Sequence, residues 1–138
     1  VVQEGRAVLL RGPSGSGKSD LALRLIDEGA ELLGDDYVRL EMHEGTLVAR
    51  PAEAIAGLLE VRGLGLVRLP YVDRAPLALV VDLVPPEHIE RLPEPATTTL
   101  AGFNGFVLPH LKLSPFEASA SAKLRLALRG LGADMIGP

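Results

Sequence analysis

Residues 12–19 of the chain, Gly12-Pro13-Ser14-Gly15-Ser16-Gly17-Lys18-Ser19, have the types and spacing that hold a run of phosphates. They follow the pattern G-x-x-x-x-G-K-[ST]. Glycines at 12, 15 and 17 leave room for main-chain N–H groups to converge on an anion where a Cβ would intrude. Lys18 supplies a point charge for the β and γ phosphates of a nucleotide, and Ser19 offers a hydroxyl to Mg²⁺. Such a loop works where it opens a helix, whose first amides are unpaired and whose dipole end is positive. The flanks meet that condition. Residues 7–10 are apolar and read as a short buried strand, while residues 20–28 read as a helix with Leu21, Leu25 and Ile26 on one side and Gly29 just past its end.

A phosphate loop points to a nucleotide without saying what becomes of the γ phosphate. Transfer also needs a group that holds the metal's other face and one that takes a proton from the acceptor. Two stretches offer acids. Leu79-Val80-Val81-Asp82 is an apolar run ending in a carboxylate, like a Walker B strand. Asp35-Asp36 follows the loop helix almost directly, after a short strand at residues 31–33. Two neighbouring carboxylates near one metal do not both ionise freely, so one stays basic enough to accept a proton. Capping a turn is the other common use of such a doublet.

The totals narrow the classes. With 138 residues the chain is expected to form a single domain with a real core, residues 131–138 reading as a frayed tail. Aromatics are 4% with no Trp, so the core must come from Leu, Val, Ile and Ala, and stacking platforms for bases are not expected. A formal charge of -4 and the lack of any Lys/Arg run argue against a nucleic-acid partner. The absence of Cys excludes disulfides, thiolate nucleophiles and Cys-ligated zinc. No signal peptide or membrane span is legible, which makes the cytoplasm the expected compartment.

The remaining elements must position these groups. Residues 37–42 alternate as a strand with one wet face, His43 to Thr46 turns, and residues 47–50 pair back as a hairpin. Residues 52–57 read as a weak helical turn. Residues 58–62 read as a strand with Glu60 and Arg62 on one face, followed by the flexible Gly63-Leu64-Gly65 and a further strand at 66–69. Residues 77–84 form the longest apolar run and read as a central strand. Residues 97–103 and 106–108 read as a hairpin about Asn104-Gly105. In the last helix Ser114 is expected as N-cap, Pro115 at N1 and Glu117 closing a capping box, with the helix running on to Gly130. Strands outnumber helices, unlike the alternation of a parallel-sheet nucleotidase.

The stretch GPSGSGKSDLALRLIDEGAELLGDD, followed by LLEVRGLGLV at 58–67, resembles the HPr kinase/phosphorylase family, bacterial enzymes that phosphorylate a serine of the phosphocarrier HPr. Members pair a phosphate loop with an acid doublet one short helix later and a signature close to E-[IV]-R-G-L-G, and the resemblance covers residues 5–130. It implies an α/β fold with a P-loop-containing mixed sheet of the HPr kinase / PEP carboxykinase-like type, antiparallel hairpins and flanking helices. It also implies ATP and Mg²⁺ as cofactors, an HPr-like phosphocarrier as substrate and a hexameric homo-oligomer. By position, Lys18 and Ser19 match the phosphate- and Mg²⁺-binding residues. Asp36 matches the general base toward the protein serine and the general acid of the reverse reaction, with Asp35 supporting it. Glu60 matches a magnesium ligand, Arg62 with residues 63–65 the signature that shapes the site, and Arg91 a catalytic arginine. Asp82 would then be a core-strand acid paired to a basic neighbour.

Departures accompany the match. Members carry a histidine upstream of the loop, and residues 1–10 contain none. Larger members carry an arginine-rich motif, associated with dephosphorylation, where residues 108–123 hold no arginine. The kinase direction is thus implied more directly than the phosphorylase direction, and the chain matches the short, single-domain form. His43, His88 and His110 are read as solvated or satisfied residues rather than bases. Two other functions remain open: a small-molecule kinase or NTPase using Asp82 as Walker B acid, and a nucleotide-sensing module without catalysis.

Overall fold

The structure is a computed structural model, and it describes residues 1–35 and 37–130. The expected tail at 131–138 lies outside the described residues. In chain order the elements are β1 (Val2–Gln3), β2 (Arg6–Arg11), α1 (Lys18–Asp27), β3 (Val38–His43), β4 (Thr46–Pro51), β5 (Leu58–Val61), β6 (Gly65–Arg68), β7 (Ala75–Leu83), β8 (Ala96–Thr98), β9 (Leu108–Leu113) and α2 (Ala120–Arg129), with 3₁₀ turns at Glu53–Ile55 and Pro86–His88. The chain divides into two compact units, one holding Val1–Val8 and Ser19–Leu77, the other Leu9–Lys18 and everything from Ala78 onward.

In the first unit hairpins dominate. β1 turns into β2 through Glu4 and Gly5, both at positive φ (54° and 78°), and β3 turns into β4 through Glu44 and Gly45 (50° and 81°). Two left-handed residues in a two-residue loop match the twist of the flanking strands. β4 pairs antiparallel with the start of β7, and β5 and β6 form a sheet of their own. The strand expected at residues 31–33 is reduced to the isolated bridges Val2↔Glu31 and Leu32↔Tyr71, a single paired residue on each side being too little for a ladder. Helix α1 buries Leu21, Ala22 and Leu25. It ends in a Schellman motif: with Gly29 at φ 113°, the Ala30 N–H bonds the Leu25 carbonyl (2.9 Å) and the Gly29 N–H that of Ile26 (3.1 Å). Leu21, Leu25, Leu32, Leu33, Leu47 and Leu59 are fully buried in this unit.

In the second unit β9 runs parallel to the end of β7, Val80 opposite His110 and Leu83 opposite Leu113, and β8 pairs antiparallel with β9. Consecutive Val80 and Val81 are both 0% exposed, so the end of β7 is covered on both faces, as its unbroken apolar sequence requires. Leu79, Leu108, Leu124 and Leu128 complete the core.

Two expectations fail here. The tight turn about Asn104-Gly105 does not form: β8 and β9 pair antiparallel, but β8 stops at Thr98 and β9 begins only at Leu108. Between them the N–H groups of Phe103 and Phe106 close short turns on the carbonyls of Leu100 and Phe103. The capping box is also absent, since α2 starts at Ala120, Ser119 makes no side-chain cap and the Ser114 hydroxyl is buried with no hydrogen-bond partner among the described residues. Residues 115–118 form turns instead, and Glu117 bonds Lys123 at 2.7 Å.

Candidate active site

The loop expected to hold phosphate joins β2 to α1. Gly15 and Gly17 adopt φ of 82° and 96°, a region costly for any residue with a Cβ. Gly17 is also walled in, because an added Cβ would lie 2.9 Å from Pro115 Cγ and 3.1 Å from Phe116 Cζ. At Gly12 a Cβ would collide with Ser16 Oγ and sit 3.4 Å from Leu83 Cβ. The loop closes with a bond from the Ser16 N–H to the Pro13 carbonyl (3.0 Å), while Ser16 Oγ is buried and has no hydrogen-bond partner among the described residues. Pro13, Ser14 and Gly15 are exposed, and Lys18 is the first residue of α1.

Ser19, Asp35 and Glu60 all belong to the first unit. The Ser19 hydroxyl donates to Asp35 Oδ1 at 2.8 Å, and the Glu60 main-chain N–H donates to Asp35 Oδ2 at 3.1 Å. One carboxylate therefore ties together the last residue of the loop motif, the doublet and the β5 signature. With its hydrogen directed at Asp35, the Ser19 oxygen keeps lone pairs for a cation. The Glu60 side chain is exposed, as is Arg62 in the turn that connects β5 to β6. Gly63 and Gly65 in that turn have φ of 91° and 101°. Asp36 lies outside the described residues, and Arg91 is exposed between the 3₁₀ turn at Pro86–His88 and β8. Among the described residues no three His, Cys, Asp or Glu side chains cluster as a metal cage. Mg²⁺ does not ask for one, since it is usually held by one or two protein groups, substrate phosphates and water.

Asp82, the competing acid, is engaged elsewhere. Arg11 grips it with a fork, Nε to Oδ1 at 2.8 Å and Nη2 to Oδ2 at 3.0 Å, and His110 Nε2 lies 2.7 Å from Oδ2. Burial pushes the Asp82 carboxyl up, but hydrogen bonds from Arg11 and His110 and their charges outweigh it and hold the group below its ordinary value. His110 is thus a strand residue bonded to an acid rather than a loop residue, whereas His43 and His88 are exposed as expected. Sequence reading passed over Arg11. The available signal was a lone Arg abutting the first loop glycine, at the end of one short strand, with an acid at the end of another.

A mixed sheet carrying a glycine-rich turn that opens a helix, with a carboxylate fixed on the hydroxyl that follows the lysine, defines an α/β protein rich in strands. The profile of the HPr Serine kinase C-terminal domain family matches residues 1–92, and the chain belongs to that family. An HPr kinase/phosphorylase of Halalkalibacterium halodurans is 48% identical over 66 residues, 47% of this chain and 21% of that protein. One from Acidovorax sp. (strain JS42) is 40% identical over 111 residues, 71% of this chain and 35% of that protein. The chain thus spans between a fifth and about a third of the length of these relatives. The structure of the Hpr(Ser) kinase/phosphatase from Coxiella burnetii superposes with a TM-score of 0.77 at 25% identity, covering 94% of this chain and 89% of that one. The α/β fold with a mixed sheet and antiparallel hairpins is the one the resemblance implied.

Proposed function

We propose that the chain is the catalytic part of an ATP-dependent protein serine kinase acting on an HPr-like phosphocarrier. The observation that carries the reading is the Asp35 carboxylate, bonded at once to Ser19 Oγ (2.8 Å) and to the Glu60 N–H (3.1 Å). These are the three motifs that the resemblance pairs, and residues 1–92, matched by the HPr Serine kinase C-terminal domain profile, contain them. The buried Ser16 hydroxyl inside the loop, without a hydrogen-bond partner among the described residues, also fits a site that takes an anion.

The residues divide the work. Glycine amides and Lys18 hold the β and γ phosphates of ATP in line with the acceptor. Asp36 accepts the proton of the substrate serine as its oxygen forms a bond to Pγ, the bond from Pγ to the bridging oxygen breaks, and ADP leaves with that electron pair. Ser19, oriented by Asp35, and Glu60 would hold Mg²⁺, which would supply charge neutralisation for the phosphates. Arg91 offsets charge on the transferring group.

The test is incubation with radiolabelled ATP, Mg²⁺ and HPr-like carriers, followed by phosphoamino-acid analysis. Label on serine supports the reading. Nucleotide binding without transfer to any carrier would favour the sensing module, and turnover with small acceptors alone the small-molecule kinase. Hexamer assembly is checked separately by light scattering. Among the described residues no helix is long and apolar enough to cross a membrane.

A further inference from the structure

We propose that Arg11, Asp82 and His110 form a latch that fixes the geometry of the phosphate loop, making Asp82 a positioning residue for nucleotide binding. The latch rests on the proposal that this loop binds nucleotide.

Three features of one unit carry it. Arg11 is the last residue of β2 and the covalent neighbour of Gly12, the first loop glycine. Its two bonds to Asp82 hold the guanidinium in a fork on the carboxylate, which restrains the side chain leaving the main chain at Arg11. The residues one step further on also meet, since a Cβ on Gly12 would lie only 3.4 Å from Leu83 Cβ. The start of the loop is therefore seated beside the strand that carries Asp82. On the far side His110, in the strand parallel to β7, holds the same Oδ2. The carboxylate is thus pinned by side chains from β2 and β9 at once.

Energetics favour a geometric role over a stabilising one. The Asp82 and Arg11 side chains keep 31% and 38% of their exposure, so the pair is partly screened and adds little to folding. A cradle of main-chain amides is different, because it gains affinity only when its donors are already in place before the anion arrives. A carboxylate occupied by a bidentate Arg and a His is also not available to a metal, even though it ends an apolar strand where a Walker B acid would stand.

The test is calorimetric titration of the full chain with ATP and with inorganic tripolyphosphate, alongside steady-state kinetics. D82N and R11K should each weaken both ligands by about tenfold, with kcat at saturating ATP and the Mg²⁺ half-saturation within about twofold of wild type. The double variant should be no weaker than the worse single one, as expected of residues acting as a unit. Should D82N fail to fold, R11K and H110Q carry the same comparison. Unchanged affinity, a lowered melting temperature without an affinity change, additive losses, or a shifted Mg²⁺ dependence would each overturn the latch. A wild-type chain that binds neither ligand would sink the nucleotide reading with it, whereas wild-type binding with unaltered D82N sinks the latch alone.

Discussion

Asp35 and Asp82 present the same functional group to opposite kinds of neighbour. Asp82 faces basic side chains: an Arg fork and a His occupy both its oxygens. Asp35 faces neutral donors, a hydroxyl and a main-chain amide, and among the described residues no basic side chain pairs with it. A carboxylate cancelled by a guanidinium has spent its charge locally. One held by neutral hydrogen bonds keeps its charge to act on whatever shares those donors, here the Ser19 oxygen. The lesson is that an acid's position at the end of an apolar strand does not make it a metal-side acid. Its partners decide.

The largest effect that would break this comparison concerns the other member of the doublet. Asp36→Asn should lower phosphoryl transfer to the carrier serine by about 10²- to 10⁴-fold, with ATP affinity little changed, because only the proton acceptor is lost. Quench-flow transfer assays beside ATP titrations separate the two quantities. Retained transfer in Asp36→Asn together with loss in Asp82→Asn would reverse the assignment of the acids. Next in size, Asp35→Ala should raise the Mg²⁺ concentration for half-maximal activity by about 10- to 100-fold, since Ser19 loses the acceptor that orients it and the Glu60 N–H is left unpaired. A Mg²⁺ titration that superposes on wild type would remove Asp35 from the metal side.

How much of this was legible beforehand differs between the two acids. The loop, its helix and the β5 signature stand in contiguous sequence with strong local signals, and each falls where its residues indicated. The bond from Ser19 to Asp35 spans 16 residues across one helix and one turn, close enough for motif spacing to suggest it. The bonds from Arg11 and His110 to Asp82 span 71 and 28 residues, and only strand pairing brings them together. Pro109 helped to hide β9, because Pro donates no N–H to a ladder and lowers any strand reading of residues 108–113. The false capping box shows the reverse error, a strong local motif overruled by packing. Pro115, expected as the first helical residue, instead stands against Gly17, and the helix begins five residues later at Ala120.

That packing sharpens the loop side of the comparison. Gly15→Ala meets nothing within 4 Å but must adopt φ 82°, so it should cost about 1–2 kcal/mol of stability in urea unfolding. Gly17→Ala carries the same kind of strain and adds a methyl 2.9 Å from Pro115 Cγ, which should cost about 1–3 kcal/mol more. Equal losses for the two would mean that the wall of Pro115 and Phe116 yields freely.

The smallest effect concerns pH. Asp82 has a folded carboxyl held below its ordinary value of 3.8, so it contributes stability that is fully present above 3.8 and is lost as pH falls through the depressed folded value. The melting-temperature gap between wild type and Asp82→Asn should therefore stay level from neutral pH down to about pH 5 and close only below 3.8. The gap should be modest because the pair is partly exposed, and raised salt should narrow it. A gap that instead widened on acidification would mean that burial, which pushes the carboxyl up, outweighs Arg11 and His110. Asp82 would then be an acid waiting to be protonated, and its contrast with Asp35 would have to be drawn from something other than charge.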